Sequence, residues 1–344
     1  MRIVYDLAQV PSLFPPQGVR WEGYVTIGVL DGIHRGHQRL ITRMVEAAHS
    51  TNGVAVALTF DPHPATVLGH EPLLLLTTVG DRAELLAALR LDVLVVLPFT
   101  PATARTTATD FVEALVRHLR LTELWAGLDF ALGHRREGDI PFLRRLGAER
   151  GFTVRVVEPL VWEGALVSSS RVRAALKAGD IPQATGCLGR PYRLAGVVTT
   201  TPIFPPLEGG LGGVGAPPPE GGVRVSTANV SPSPERLIPA GGVYACLAHT
   251  ERLGIRPAVV NVGTRPTPPS PRKWERDETL VVEAHLLDFD GDLCDQVLAL
   301  DFIARLRDER AFPNLKTLAE QIHDDIAQAR VVLGMQNPRQ ESGE

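Results

Sequence analysis

The stretch that most limits how this chain can fold is the apolar run Tyr24-Val-Thr-Ile27 and the turn behind it, Gly28-Val-Leu-Asp-Gly-Ile-His34-Arg-Gly36-His37. A short β-branched run that stops at glycine reads as a buried strand. From residue 38 onward Leu40, Ile41, Met44, Val45 and Ala48 recur at helical spacing. Glycines and two histidines therefore sit where a strand gives way to a helix. Backbone N–H groups at a helix start point outward, and the helix dipole favours negative charge there. Glycine lets a phosphate approach the backbone, and histidine supplies donors where charge develops on a transferring phosphoryl group. The turn reads as a nucleotide site suited to nucleotidyl transfer. Two histidines three apart would also serve as metal ligands or as plain surface residues. No cysteine or further histidine stands nearby at zinc-ligand spacing.

The same alternation continues through the first half. Strand-like runs at 24–29, 54–60, 93–99, 121–126 and 152–157 are separated by helical patterns near 38–49, 81–90, 109–119 and 140–150. Such alternation predicts an α/β fold with a doubly wound parallel sheet. Two short helices follow, near 169–178 and 181–188. Beyond them, strand-like stretches at 192–199, 242–248, 258–262, 279–289 and 296–303 precede one amphipathic helix at about 315–333. Short strands with turns between them, then a helix, predict a small antiparallel β-barrel. The expected domains are 1–188 and 189–335, which 344 residues accommodate. Residues 201–222, dominated by glycine and proline, read as a flexible surface insertion, and 336–344 as a disordered tail.

A net charge of −4 argues against nucleic-acid or acidic-membrane partners, which need a basic patch. Cys187, Cys246 and Cys294 are odd in number and far apart, which fits free thiols in a reducing cytoplasm. No run approaches the roughly 20 apolar residues of a membrane span.

Further constellations fall at strand ends. Thr59-Phe-Asp-Pro-His63-Pro64 closes the second strand, where Phe60 offers a face to a planar ring and the prolines a rigid rim. An ordinary turn with a capping Asp61 is the alternative. Gly127-Leu-Asp129-Phe130 closes the fourth strand, and Asp129 there is either a partner for a ring N–H or a solvated carboxylate. Val167-Ser-Ser-Ser170-Arg171-Val-Arg173 joins a helix start to hydroxyls and guanidinium groups, either a phosphate clamp or a simple N-cap. Four motifs converging on one sheet edge favour a multi-part pocket. In the second domain Ser226-Thr-Ala-Asn229 carries oxygens suited to Mg²⁺ and phosphate. Glu283 lies in an alternating strand, either as a general base or as part of its polar face.

In order and spacing these motifs resemble the bacterial bifunctional riboflavin kinase/FAD synthetases over residues 24–333. The N-terminal matches are TIGVLDGIHRGHQ, LTFDPHP, GLDFALG, REGD and VSSSRVRAALKAGD. The C-terminal matches are LGRPYRLAGVV, STANV, GGVYA, VNVGTRPT, VEAHLLDFDGDL, LRDE and QIHDDIAQA. The resemblance implies that Gly28, Asp31, His34, Gly36 and His37 hold ATP, with the histidines stabilising charge at the α-phosphate. It implies flavin binding at Phe60, Pro62, Pro64, Asp129 and Phe130, and phosphate binding at Ser169, Ser170 and Arg173. In the barrel it implies that Thr227 and Asn229 hold Mg²⁺ and ATP and that Glu283 deprotonates riboflavin. ATP, FMN and riboflavin are then the small-molecule partners, and FAD is the product.

The chain departs from that family's pattern in two places. Val29-Leu30 stands where the family has Asn-Phe, which removes one polar side chain near the nucleotide. Ahead of Thr227 the insertion and Arg224-Val-Ser226 replace a glycine-bearing loop and Gly-Phe-Pro, and Cys294-Asp295 replaces Tyr-Gly. Losing a close-approach glycine and a turn-fixing proline predicts a weakened or absent kinase activity beside an intact adenylyltransferase. Three readings stay open here: a bifunctional enzyme, an adenylyltransferase with an inactive barrel, and a non-catalytic flavin-binding protein.

Overall fold

The computed structural model describes residues 1–14, 21–69, 73–199, 228–264, 280–289 and 291–335, and the chain divides into two compact units, Met1–Ser169 and Ser170–Glu344. The first unit begins β1 (Arg2–Val4), β2 (Gly23–Ile27), α1 (Arg35–Ser50), β3 (Val54–Asp61), α2 (Pro64–Val67), α3 (Val79–Ala88), β4 (Val93–Pro98) and α4 (Ala108–Leu119). It continues with β5 (Leu121–Gly127), β6 (Ala131–Leu132), β7 (Gly138–Asp139), α5 (Ile140–Arg150), β8 (Thr153–Val157) and the hairpin β9 (Val161–Trp162) and β10 (Ala165–Leu166).

Six of these strands form one parallel sheet in the order β1-β4-β3-β2-β5-β8. Successive strand residues point to opposite faces, so each strand feeds two separate cores. Val25, Ile27, Val56, Leu58, Val93 and Val95 pack with Val112 and Leu115 of α4 and Leu143 of α5. Their neighbours Tyr24, Ala55, Ala57, Leu94 and Val96 pack on the other side with Ile41, Met44 and Val45 of α1 and Leu86 of α3. The chain winds outward from β2 through β3 to β4, then returns to place β5 on the opposite side of β2. That reversal opens a crevice beyond the carboxyl ends of β2 and β5, where open α/β sheets bind ligands.

The first helix starts at Arg35, about three residues earlier than apolar spacing predicts, because the His34 side chain caps it. β1 and the β9–β10 hairpin have no counterpart in the expected elements. All three are two or three residues long, too short to show a period.

The second unit opens with α6 (Ser169–Ala178), whose first residue belongs to the first unit, and α7 (Ile181–Leu188). Composition places the boundary near 188, but α7 packs on barrel strands at its C-terminal side and buries Ile181, Ala184, Cys187 and Leu188. Packing, rather than the change in composition, fixes where the units divide. The strands are β11 (Tyr192–Thr199), β12 (Ala228–Pro232), β13 (Gly242–Thr250), β14 (Gly254–Thr264), β15 (Leu280–Leu286) and β16 (Val297–Arg307). They close antiparallel in the order β11-β12-β15-β14-β13-β16, which leaves no open sheet edge. Tyr244 and Phe302 meet edge to face at 5.1 Å in the core. The helix α8 (Leu315–Val332) is capped by the Asn314 side chain and tied to β16 by a two-pronged Arg307–Asp325 pair at 2.9 and 2.7 Å. The insertion at 201–222 and the tail at 336–344 lie outside the described residues. Among the described residues no helix is long and apolar enough to cross a membrane.

Asp325 is only 3% exposed, so removing its charge strands the guanidinium of Arg307. Asp325→Asn is expected to destabilise the barrel unit by roughly 3 kcal/mol. Asp308→Asn, at the exposed Arg305–Asp308 pair, should cost less than about 1 kcal/mol. Urea unfolding followed by far-ultraviolet circular dichroism compares the two.

Candidate functional site

Behind β2 the backbone leaves ordinary geometry. Leu30 (φ +55°), Gly32 (φ +81°) and Ile33 (φ +38°) lie in the left-handed region. For β-branched Ile33 such a conformation costs of order 1–3 kcal/mol, so its surroundings must hold it. Leu30 and Ile33 are buried in the α1 core. The Asp31 carboxylate accepts N–H bonds from Leu76 (3.0 Å) and Thr77 (2.9 Å) and the Thr77 hydroxyl (2.9 Å). The Gly32 N–H donates to the same hydroxyl at 2.8 Å. One residue earlier, the Val29 carbonyl accepts from Thr59 Oγ1 and from Arg82 Nη1, both at 2.8 Å.

This turn delivers His34 to the N-cap of α1, where its Nδ1 accepts the His37 N–H at 3.3 Å. A ring nitrogen that accepts carries no proton, so neutral His34 holds its proton on Nε2. The two imidazoles stack at 3.7 Å with 16° between planes. Gly36 makes room for them, since a Cβ there would press within 3.1 Å of the His34 ring. Burial, and then the neighbouring His34, hold the His37 pKa well below 6.5. Its Nδ1 is buried and meets no hydrogen-bond partner among the described residues. Burial therefore favours the neutral form of the His37 imidazole. From the first unit's last residue, the Ser169 hydroxyl donates to the Asp31 carbonyl at 2.8 Å.

A cavity of about 760 Å³ opens beside the turn, and Gly28 and Val29 form part of its wall. Phe60, Pro64, Asp129 and Phe130, all singled out at strand ends in the sequence, line it. Phe99, which sequence reasoning missed, meets Phe60 edge to face at 5.4 Å. The loop from Gly133 to Arg136 adds cationic groups to the lining, with Gly133, Arg135 and Arg136 all at positive φ, and Arg105 lines the cavity as well. Arg136 donates to the Asp129 carbonyl at 2.8 Å. Glu137 anchors the loop by accepting the Ala108 N–H at the start of α4 (2.7 Å).

Not every expected residue is part of this cavity's lining. Pro62 is exposed and stands outside the cavity wall. The Asp31 carboxylate is buried against residues 76 and 77, where it shapes the turn. Ser170 is exposed and Arg173 half-buried on α6, in the second unit. Thr77 and Arg82 carry no motif signal. Thr77 reads as helix-capping chemistry, and Arg82 as a polar position of a surface helix, yet it is 3% exposed.

In the barrel Thr199, Asn229, Glu283 and Asn261 stand directly opposite one another across four adjacent strands. Residues so paired share one face. Val282 and Ala284 are buried, so Glu283 points to the face opposite the apolar core. Burial raises the Glu283 pKa, a hydrogen bond from Asn261 opposes the rise, and the negative charge of Glu309 adds to it. Glu309 reaches into the space a Cβ on Gly263 would fill. Thr227, one residue before the described start of β12, lies outside the described residues, as do Arg224 and Ser226.

The family model for FAD synthetase matches residues 19–171, and that for riboflavin kinase matches residues 222–333. The bifunctional riboflavin kinase/FMN adenylyltransferase of Pseudomonas fluorescens is 34% identical over 310 residues, 89% of this chain and 92% of that one. The protein of the same description from Escherichia coli (strain K12) is 31% identical over 98% of this chain and 99% of its own. A solved Streptococcus pneumoniae structure described as a macrolide-efflux protein aligns with a TM-score of 0.78, at 23% identity, over 96% of this chain and 99% of its own, and speaks for the fold alone. The chain belongs to the bifunctional riboflavin kinase/FMN adenylyltransferase family, with both the FAD-synthetase and the riboflavin-kinase domain present.

The depressed His37 pKa has a pH signature. An unfolded chain takes up this proton near pH 6.5, while the folded one resists it. The stability that His37 contributes is complete above about pH 6.5 and declines as pH falls toward its lower folded value. Imidazole NMR titration should show His37 still neutral when exposed histidines have protonated. His37→Gln should flatten the stability-versus-pH slope in that window.

Proposed function

We propose that the first unit transfers AMP from ATP to FMN, giving FAD and pyrophosphate, and that the barrel phosphorylates riboflavin to FMN. One observation carries the first half of this reading. The turn that holds the stacked imidazoles supplies, through Gly28 and Val29, a wall of the cavity lined by Phe60 and Phe130. A nucleotide on the turn and a planar ring in the cavity would then be neighbours. The cationic lining of Arg105, Arg135 and Arg136 suits a phosphate carried by the ring-bearing substrate.

In this mechanism a phosphate oxygen of FMN attacks the α-phosphorus of ATP in line. The new P–O bond forms as the bond to the β-phosphate bridging oxygen breaks, and pyrophosphate leaves with that electron pair. His34 and His37 donate hydrogen bonds to the charge that builds on the α-phosphoryl oxygens. Ser169, the first unit's last residue, is a proposed partner of the remaining phosphates. Positioning and electrostatics supply the rate, and no covalent enzyme intermediate is needed.

In the barrel, Glu283 takes the proton of the ribityl 5′-hydroxyl, whose oxygen attacks the γ-phosphorus and expels ADP. Its raised pKa makes it a stronger base than an ordinary carboxylate. Mg²⁺ that travels with ATP keeps most of its ligands as phosphate oxygens and water, so one or two protein oxygens suffice. Asn229, directly opposite Glu283, suits that part, and Thr227 is proposed as its companion. The ion, when bound, neutralises phosphate charge.

Incubation with Mg-ATP and either riboflavin or FMN, with the flavins separated by chromatography, tests both halves. FAD from FMN and FMN from riboflavin are the expected products. FAD without FMN would restrict the activity to the first unit, in line with the altered residues ahead of Thr227. His37→Ala should lower FAD formation at least about 100-fold and leave riboflavin phosphorylation intact. Glu283→Gln should abolish phosphorylation alone. The wild-type kinase rate should fall on acidification with a midpoint above the usual carboxylate range.

A further inference from the structure

We infer that Thr77 and Arg82, at the entry to α3, are positioning residues for adenylyl transfer, and that Asp31 works with them as a clamp on the turn. The inference rests on the adenylyltransferase reading of the first unit. Asp31, Thr77 and Arg82 are 3%, 4% and 3% exposed, so their polar groups are answered inside the protein. The Thr77 hydroxyl is the pivot, because it donates to the Asp31 carboxylate at 2.9 Å and accepts the Gly32 N–H at 2.8 Å. Both bonds fall between the two left-handed residues Leu30 and Ile33. Arg82 Nη1 bridges the Val29 carbonyl (2.8 Å) and Thr59 Oγ1 (2.7 Å), which ties the turn to the end of β3. Thr59 itself donates to the Val29 carbonyl, so two side chains close a buried ring with that carbonyl.

The position of this ring matters for the chemistry. Gly28 and Val29 wall the cavity on one side of the clamp, and His34 follows it by one to three residues on the other. The clamp therefore sets the spacing between the cavity and the imidazole pair. A buried carboxylate with three donors from residues 76 and 77 is committed to the backbone. Asp31 accordingly belongs to the support of the turn, and ATP meets the histidines and the helix start. A misplacement of about 1 Å at reacting groups can cost about 100-fold in rate, so loosening the clamp should be felt in turnover more than in binding.

The test compares Thr77→Val, which keeps the shape and removes the hydroxyl, with Thr77→Ser, which keeps the hydroxyl. Thr77→Val should lower kcat for FAD formation about 10- to 100-fold, change the KM for ATP less than about threefold, and leave riboflavin phosphorylation unchanged. Thr77→Ser should restore kcat to within about threefold. Asp31→Asn should behave like Thr77→Val, and the double variant should lose little more than either alone. A second readout needs no turnover: in Thr77→Val the His37 imidazole should titrate closer to 6.5 than in the wild type. An unchanged kcat and an unchanged His37 titration in Thr77→Val would overturn the inference. So would a large rise in the KM for ATP in Asp31→Asn alone, which would make Asp31 an ATP ligand. Parallel loss of both activities and of thermal stability would reduce the clamp to a general structural element. Should the wild type form no FAD while the His37 titration still shifts, the function proposed for the first unit fails and the clamp stands.

Discussion

A buried carboxylate that answers backbone N–H groups holds the strained turn between β2 and α1. Without Asp31 drawn toward residues 76 and 77, the turn would lose the bonds from the Leu76 N–H, the Thr77 N–H and the Thr77 hydroxyl that help keep Leu30, Gly32 and Ile33 in the left-handed region. The turn would relax toward extended or helical geometry. Its strain is small beside the burial that opposes it, since Ile33 sits in the same core as Ile41 and Met44. The reward is geometric. The chain leaves β2, passes the cavity wall and enters α1 with His34 already at the cap position.

Each unit holds a titratable group whose charged form burial disfavours, an imidazole in the first and a carboxylate in the barrel. In the first, burial keeps an imidazole neutral and therefore a donor without added charge. In the barrel, burial and the neighbouring Glu309 lift a carboxylate toward the range where it can hold and release a proton. Desolvation does the work in both places, and only the sign of the group differs. Gly36 and Gly263 serve the two sites alike, each by leaving the volume of a side chain to a functional group.

Much of the architecture was legible because the signals were local and periodic. Short apolar runs announced β2 to β5 and β8, and helical spacing announced α1, α4 and α5. The shared edge of Gly28, Phe60 and Asp129 followed from each motif's place at a strand's carboxyl end. Illegible were elements with no period to read, such as β1 and the β9–β10 hairpin, and the side of the boundary on which α7 packs. The expected role of Asp31 as an ATP contact rested on its position in a motif. A motif cannot tell a carboxylate that faces a ligand from one that turns inward to the backbone. Phe99 and Arg82 carried no signal, since each touches the site from a segment whose own sequence is ordinary.

By itself, then, the sequence determined which backbone segments are strands and helices, the winding of the sheet, and the chemical inventory at its edge. Those properties depend on spacing along the chain and on local steric preference, both of which are present in the order of residues. Only the tertiary structure decided which of those groups face outward to a ligand and which are spent holding the turn in place. It brought Thr77 to Asp31 from 46 residues away and set Asn229, Glu283 and Asn261 in one row across three strands. Hydrogen bonds between distant segments form only when the cores on both sides of the sheet, or around the barrel, bring those segments together. No local pattern encodes them.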